Sequence, residues 1–162
     1  MHKRKLTFWQ KGIHFFNPVM YPFVHLYWFL TRPRSAGAKV VITHEDHVLV
    51  VEHTYGSGSN MFPGGVIERG EEPDRTALRE VEEELGIVLE EVIPLGSFEF
   101  EGHYKQDTIH VFHGRVQSRE VYPDPFEIRN VFWFPVHSMP QLSRASKTIF
   151  DMYQDYAQRT QS

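Results

Sequence analysis

The chain of 162 residues is the size of one ordinary domain, and 41% apolar with 23% charged residues is a folding composition, not a disordered one. Cysteine is absent, which excludes a disulfide scaffold, a cysteine nucleophile and any thiolate metal site, and which suits a cytoplasmic location. The net charge of -4 is unevenly spread: residues 1–44 contain no acid and carry +7, while the remainder carries -11. Such a split fits either a site for a phosphate-rich partner or a basic arm packed on an acidic body.

Residues 1–35 form a basic, aromatic extension. The run from Ile13 to Leu30 is interrupted by His14, Asn17, Pro18, Pro22 and His25, so it falls short of the roughly 18 to 20 unbroken apolar residues that a spanning helix needs. No small-residue cleavage site follows it, as a signal peptide would require. Pro18 and Pro22 predict an irregular stretch, then a short helix over Phe23–Leu30 that ends before Pro33. Nine of the 23 aromatic residues lie in this arm. It can cover the domain's own core, form a homodimer interface, or rest on a membrane surface, and the sequence leaves all three open.

From residue 36 to 162 the pattern is that of a mixed α/β domain. Ala38–Thr43 and Val48–Thr54 read as two strands joined by a tight turn at His44–His47. Tyr55–Asn60 is a loop alternating Gly and Ser, and Met61–Gly65 is an abrupt turn. Pro73–Leu85 carries the marks of a helix, with proline in its first turn and Gly86 in the position of a C-terminal cap. Strand patterns follow at Val92–Phe100, Thr108–Val116 and Val131–Pro135, and Ser143–Ala157 closes the chain as an amphipathic helix. Strands and helices in this order point to a layered α/β (α+β) domain.

The chemistry is concentrated between Gly65 and Ile87, where eight of 23 residues are acidic. At 100° per residue, Leu78, Val81 and Leu85 share one helix face, and Glu80, Glu83 and Glu84 fall on the opposite one at i, i+3 and i+4. Three neighbouring carboxylates repel each other, and Arg79 relieves only part of that repulsion. A hard divalent cation such as Mg²⁺ or Mn²⁺ relieves it well; a solvated acidic face is the other reading of the spacing.

The full pattern resembles the Nudix box, G-x(5)-E-x(7)-R-E-U-x-E-E-x-G-U with U aliphatic. Gly65, Glu71, Arg79, Glu80, Val81, Glu83, Glu84, Gly86 and Ile87 occupy all nine constrained places, and Phe62-Pro63-Gly64-Gly65 is similar to the family's usual entry into it. The resemblance implies an α/β/α sandwich around a mixed sheet, a bound Mg²⁺ (or Mn²⁺), and attack by water on a nucleoside diphosphate linked to another group. It implies Glu80, Glu83 and Glu84 as metal ligands beside the Gly64 carbonyl. Glu71 and Arg79 become a brace for the loop, Gly65 and Gly86 points of backbone geometry, and Glu82 a bystander. For the general base it offers Glu80 or a later glutamate, Glu127 ahead of Glu120.

The substrate is implied only as a class. A nucleotide sugar or ADP-ribose-like compound leads, with dinucleoside polyphosphates, nucleoside triphosphates and a catalytically silent nucleotide-binding module as alternatives. The proline that ADP-ribose-type members carry past the box is not matched, Gly102 and His103 standing there, while Tyr104 is similar to a tyrosine of diadenosine polyphosphate hydrolases. Substrate-binding residues are not identified, although backbone amides of the Tyr55–Asn60 loop could approach phosphate. His110 and His113 are expected on opposite faces of one strand, so they cannot pair on a metal. The acidic body argues against a stable nucleic acid partner.

Overall fold

A computed structural model of the protein describes residues 34–54, 59–102 and 105–161. The expected Phe23–Leu30 helix, the dimer and membrane roles of the arm, His103, Tyr104 and the centre of the Gly/Ser loop lie outside the described residues. Five strands form one sheet: β1 (Arg34–His44), β2 (His47–His53), β3 (Ile93–Gly102), β4 (Lys105–Arg115) and β5 (Ile128–Pro135), in the order β3-β4-β1-β2-β5. β1 runs parallel to β4, and the other pairings are antiparallel, which makes the sheet mixed.

Strand alternation decides what each face buries. Val40, Ile42, Leu49 and Val51 point to one side, where Ala77, Val81 and Leu85 of helix α1 (Pro73–Leu85) complete a core. Val41, Val48, Val50 and Val111 point to the other side and meet Ile149, Phe150 and Tyr153 of helix α2 (Arg144–Gln161). One helix on each face of the sheet is the α/β/α sandwich expected from sequence.

α1 has the bounds that its local signals predict. Proline opens it, and Gly86 closes it at φ 66° with its N–H donating to the Glu82 carbonyl. Its buried stripe differs from the wheel, however. Ala77 joins Val81 and Leu85 in the core, Leu78 is only half-buried, and Glu84 is buried beside the stripe rather than exposed opposite it. The strands also start earlier or run longer than the apolar pattern shows. β1 takes in Arg34–Gly37 by pairing with Gln106–Ile109, and β5 begins at Ile128. Backbone ladders extend through polar and small residues that carry no hydrophobic signal.

The feature that positions the site is a splayed hairpin. β1 and β2 pair directly only near their turn, at Thr43–Val48 and His44–His47. Beyond it they separate, and residues 61–67 enter the gap. Ala38 N–H donates to Gly65 O (2.9 Å), Val40 N–H to Pro63 O (3.0 Å) and Ile67 N–H to Ala36 O (2.9 Å), while Val51 and Met61 exchange both their bonds at 2.8 and 2.9 Å. The entry to the acidic helix is thereby stitched to both strands.

Because Leu85 is fully buried in the α1 core, Leu85→Ala is expected to lower unfolding free energy by about 2–5 kcal/mol, from lost burial plus the cavity left behind. Urea unfolding followed by circular dichroism measures it.

Candidate acidic metal centre

Gly64 lies in the gap between the splayed strands at φ 126°, and a Cβ there would stand 2.1 Å from the Ala38 carbonyl oxygen. Only glycine meets both the conformation and the contact. The turn aims the Gly64 N–H at Glu84, whose Oε2 accepts at 2.9 Å. The next residue, Gly65, makes room of another kind. A Cβ on it would fall 2.3 Å from Glu80 Oε1, so the missing side chain is the space in which the Glu80 carboxylate rests.

A single arginine organises the helix side. Arg79 grips Glu71 with two parallel bonds, Nε to Oε1 at 2.9 Å and Nη2 to Oε2 at 3.0 Å. Its remaining nitrogen, Nη1, donates to Glu80 Oε1 at 2.8 Å and to Glu83 Oε2 at 3.1 Å. Glu71 also accepts from the Thr76 hydroxyl at 2.7 Å and the Glu68 N–H at 3.1 Å. The Arg79 guanidinium and these donors hold the Glu71 carboxyl down at about 2. Arg79 itself is pushed above its usual range, first by the Glu71 bond.

Opposite charges run short deeper in. Glu84 is 2% exposed, and burial pushes its carboxyl up to about 7 against the pull of Lys39 and the Gly64 N–H. Burial also raises Glu80, opposed by Arg79, and raises Glu127, where the charges of Glu80, Asp124 and Glu83 add to the effect. Glu127, from the segment that leads into β5, therefore shares the electrostatic neighbourhood of the three helix acids. Its segment is pinned: Asp124 N–H donates to Glu84 O (2.9 Å), Thr54 N–H to Glu127 O (2.9 Å), and Ile128 N–H to Asp124 O (2.8 Å). Glu120 goes elsewhere, accepting a bond from the Tyr122 hydroxyl on the surface.

Two buried-side partners carry no signal in the sequence. Lys39, which reads there only as one more basic residue, donates from Nζ to the Gly64 carbonyl oxygen. Burial lowers its pKa, against the charges of Glu84 and Glu80, which raise it. His53, at the end of β2, is 3% exposed, with Nδ1 3.9 Å from Glu84 Oε1. Burial first, and Lys39 second, push its imidazole down to about 4, so it is neutral beside Glu84 at ordinary pH. Nothing local distinguishes either residue, because each acquires its role from the separation of β1 and β2.

The residues fit a hard divalent cation in kind: carboxylates, a backbone carbonyl and no sulfur. Among the described residues no three Asp, Glu or His side chains are gathered around one point at coordinating distance. Arg79 holds Glu80 and Glu83, and Lys39 holds the Gly64 carbonyl.

The family model for the NUDIX domain matches residues 32–156. The chain belongs to the NUDIX family. Among curated relatives, a Bacillus subtilis protein named ADP-ribose pyrophosphatase is 40% identical over 86 residues, which cover 51% of this chain and 46% of the relative. A Pseudomonas aeruginosa protein named NAD-capped RNA hydrolase is 26% identical over 126 residues, 75% of this chain and 45% of the relative. The matched stretches thus span less than half of the length of either relative. A solved MutT NUDIX hydrolase from Burkholderia pseudomallei superposes with a TM-score of 0.68 at 24% identity, over 74% of this chain and 98% of that one, and shows the shared fold. Divalent metal ions such as Mg²⁺ are general to Nudix hydrolases.

The Nudix chain keeps other expected groups apart from the acids. His113 is buried against Tyr153 and Tyr156 of α2, its Nε2 2.9 Å from the Thr43 hydroxyl, with its pKa pushed down to about 4 chiefly by burial. It is a core histidine. Glu82 is exposed. Among the described residues no helix is long and apolar enough to cross a membrane.

The brace has a pH signature. A carboxyl that ionises at about 2 in the fold and at about 4.5 otherwise stabilises the native state at every pH above about 4.5, and that contribution drains away as pH falls toward 2. Glu71→Gln removes it. The stability gap between wild type and variant, from urea titrations at a series of pH values, is expected to be constant above pH 5 and to narrow below it.

Proposed function

We propose that this NUDIX protein is a divalent-metal-dependent pyrophosphohydrolase acting on a nucleoside diphosphate linked to another moiety, a nucleotide sugar or an ADP-ribose-like compound. The observation that supports the reading is that Glu84 accepts the Gly64 N–H, the Glu80 carboxylate rests in the space left by Gly65, and Glu80, Glu83, Glu84 and Glu127 lie close enough for their charges to act within one group. A diphosphate brings at least two negative charges, which a bare carboxylate face would repel. Bound Mg²⁺, or Mn²⁺ in its place, would supply Lewis acidity and charge neutralisation there. The 40% identity over 86 residues to the Bacillus subtilis protein named ADP-ribose pyrophosphatase supports the substrate class.

In this reading Glu80, Glu83, Glu84 and the Gly64 carbonyl hold the metal, while Arg79 and Glu71 fix the helix acids relative to the loop. Water adds across the P–O–P linkage: its oxygen bonds to one phosphorus, the bridging P–O bond breaks, and two phosphate esters leave. Glu127 is assigned the proton that the water gives up. Glu80 suits that task less, because one of its oxygens is engaged by Arg79 at 2.8 Å. Gly65 and Gly86 serve the frame, one by leaving room for Glu80 and the other by ending the helix.

Two measurements test this. Glu83→Gln should cut kcat/KM by roughly two or more orders of magnitude and weaken Mg²⁺ dependence, with the circular dichroism spectrum unchanged. Glu127→Gln should lower kcat more than it raises KM. The substrates for both come from a panel of nucleotide sugars, ADP-ribose, diadenosine polyphosphates and nucleoside triphosphates, read by phosphate release after phosphatase treatment. Metal-dependent turnover of the diphosphate-linked compounds supports the proposal, whereas a preference for triphosphates or polyphosphates moves the substrate. Silence across the panel from a protein that binds Mg²⁺ would favour a binding module.

A further inference from the structure

Lys39 stands where a lysine is hard to explain as structure. It projects from β1 among acids that the proposed function gives to a metal, and its Nζ donates to the Gly64 carbonyl, one of the groups assigned to that metal. The charges that favour its ammonium are those of Glu84 and Glu80. It is half-buried, and desolvation of its ammonium is a cost that an apolar side chain at the same place would not carry. The cost is offset if the ammonium neutralises a cluster that would otherwise repel itself.

We propose that Lys39 is a resident cation that occupies part of the metal position in the metal-free protein, and that a divalent ion must displace its Nζ from the Gly64 carbonyl in order to bind. This rests on the metal reading above. Three features of the geometry support it. The Gly64 carbonyl is bonded to the ammonium, and an ammonium and a divalent ion on the same oxygen would repel each other strongly, so a metal there requires the ammonium to leave. Gly64 is held in place, since its N–H is fixed on Glu84 and the space in which a Cβ would stand is closed by the Ala38 carbonyl and the Lys39 Cα. Finally, a flexible four-carbon stem lets the ammonium withdraw without moving β1. Arg79 is a poorer candidate for the same role, because its two bonds to Glu71 tether it.

Two cations competing for one set of oxygens are coupled negatively, so removing the resident one should strengthen binding of the other. Mn²⁺ affinity, measured by electron paramagnetic resonance of the free ion, is therefore expected to be roughly fivefold or more tighter in Lys39→Met than in wild type. Lys39→Arg, which keeps the charge, should not gain in this way. A merely structural lysine predicts the opposite sign, since its loss would loosen the loop and weaken Mn²⁺. Equal or weaker Mn²⁺ binding by a folded Lys39→Met protein overturns the proposal.

Should Lys39→Met not fold, wild type decides the matter. The Lys39 side-chain resonance in ¹⁵N-lysine-labelled protein should shift as Mg²⁺ saturates the site, and an unmoved resonance overturns the proposal. Failure of the underlying metal reading looks different. In that case wild type binds no Mn²⁺, or binds it with an affinity that Glu83→Gln leaves unchanged.

Discussion

The site depends on β1 and β2 parting after a short stretch of pairing. Separated strands expose backbone N–H and C=O groups on both inner edges, and in a buried sheet those groups must find partners. Residues 61–67 supply them: Gly65, Pro63 and Met61 accept from Ala38, Val40 and Val51, and Ile67 donates to Ala36. The segment is held by the ordinary demand for satisfied hydrogen bonds, and its position is as fixed as the sheet. Gly64 then has to take a left-handed conformation against the Ala38 carbonyl, which presents its own N–H to Glu84 and its carbonyl to Lys39. A turn in the sequence thereby becomes one side of the acidic cluster.

The other side is α1, and its charges follow a division of labour. Arg79 takes Glu71 in a two-pronged grip and has one nitrogen left to share between Glu80 and Glu83. Farther in, Glu84 meets Lys39, the Gly64 N–H and a neutral His53. The result is a graded field. Glu71 on the outside is held ionised, whereas Glu84, Glu80 and Glu127 are each pushed the other way, first by burial and then by neighbouring carboxylates. A cluster with that imbalance is a good host for added positive charge, which is what the proposed metal would bring.

Much of this was legible in the sequence where the signal is local. The bounds of α1 follow from a proline at one end and a glycine cap at the other, and the spacing of Glu80, Glu83 and Glu84 follows from helix geometry. Glu127 could be nominated from its place just before β5. What sequence could not supply depends on contacts between distant segments. The burial of Glu84, unlike exposed Glu83, comes from its neighbours Gly64 and His53 rather than from helical phase. Lys39 and His53 lie 25 and 11 residues before Gly64, in strands where a charge or an imidazole reads as an interruption of the apolar pattern. Strand ends such as Arg34–Gly37 were invisible for a related reason, since pairing with β4 does not require apolar side chains.

The central claim is that the acidic cluster between the splayed hairpin and α1 binds a divalent ion. Paramagnetic broadening of backbone amide resonances by substoichiometric Mn²⁺ tests it most directly. The account predicts selective loss of signals from residues 64–65, 80–84 and 127, with the His44–His47 turn and α2 left sharp. Broadening centred on that turn or on another part of the surface, or none at all, would contradict it.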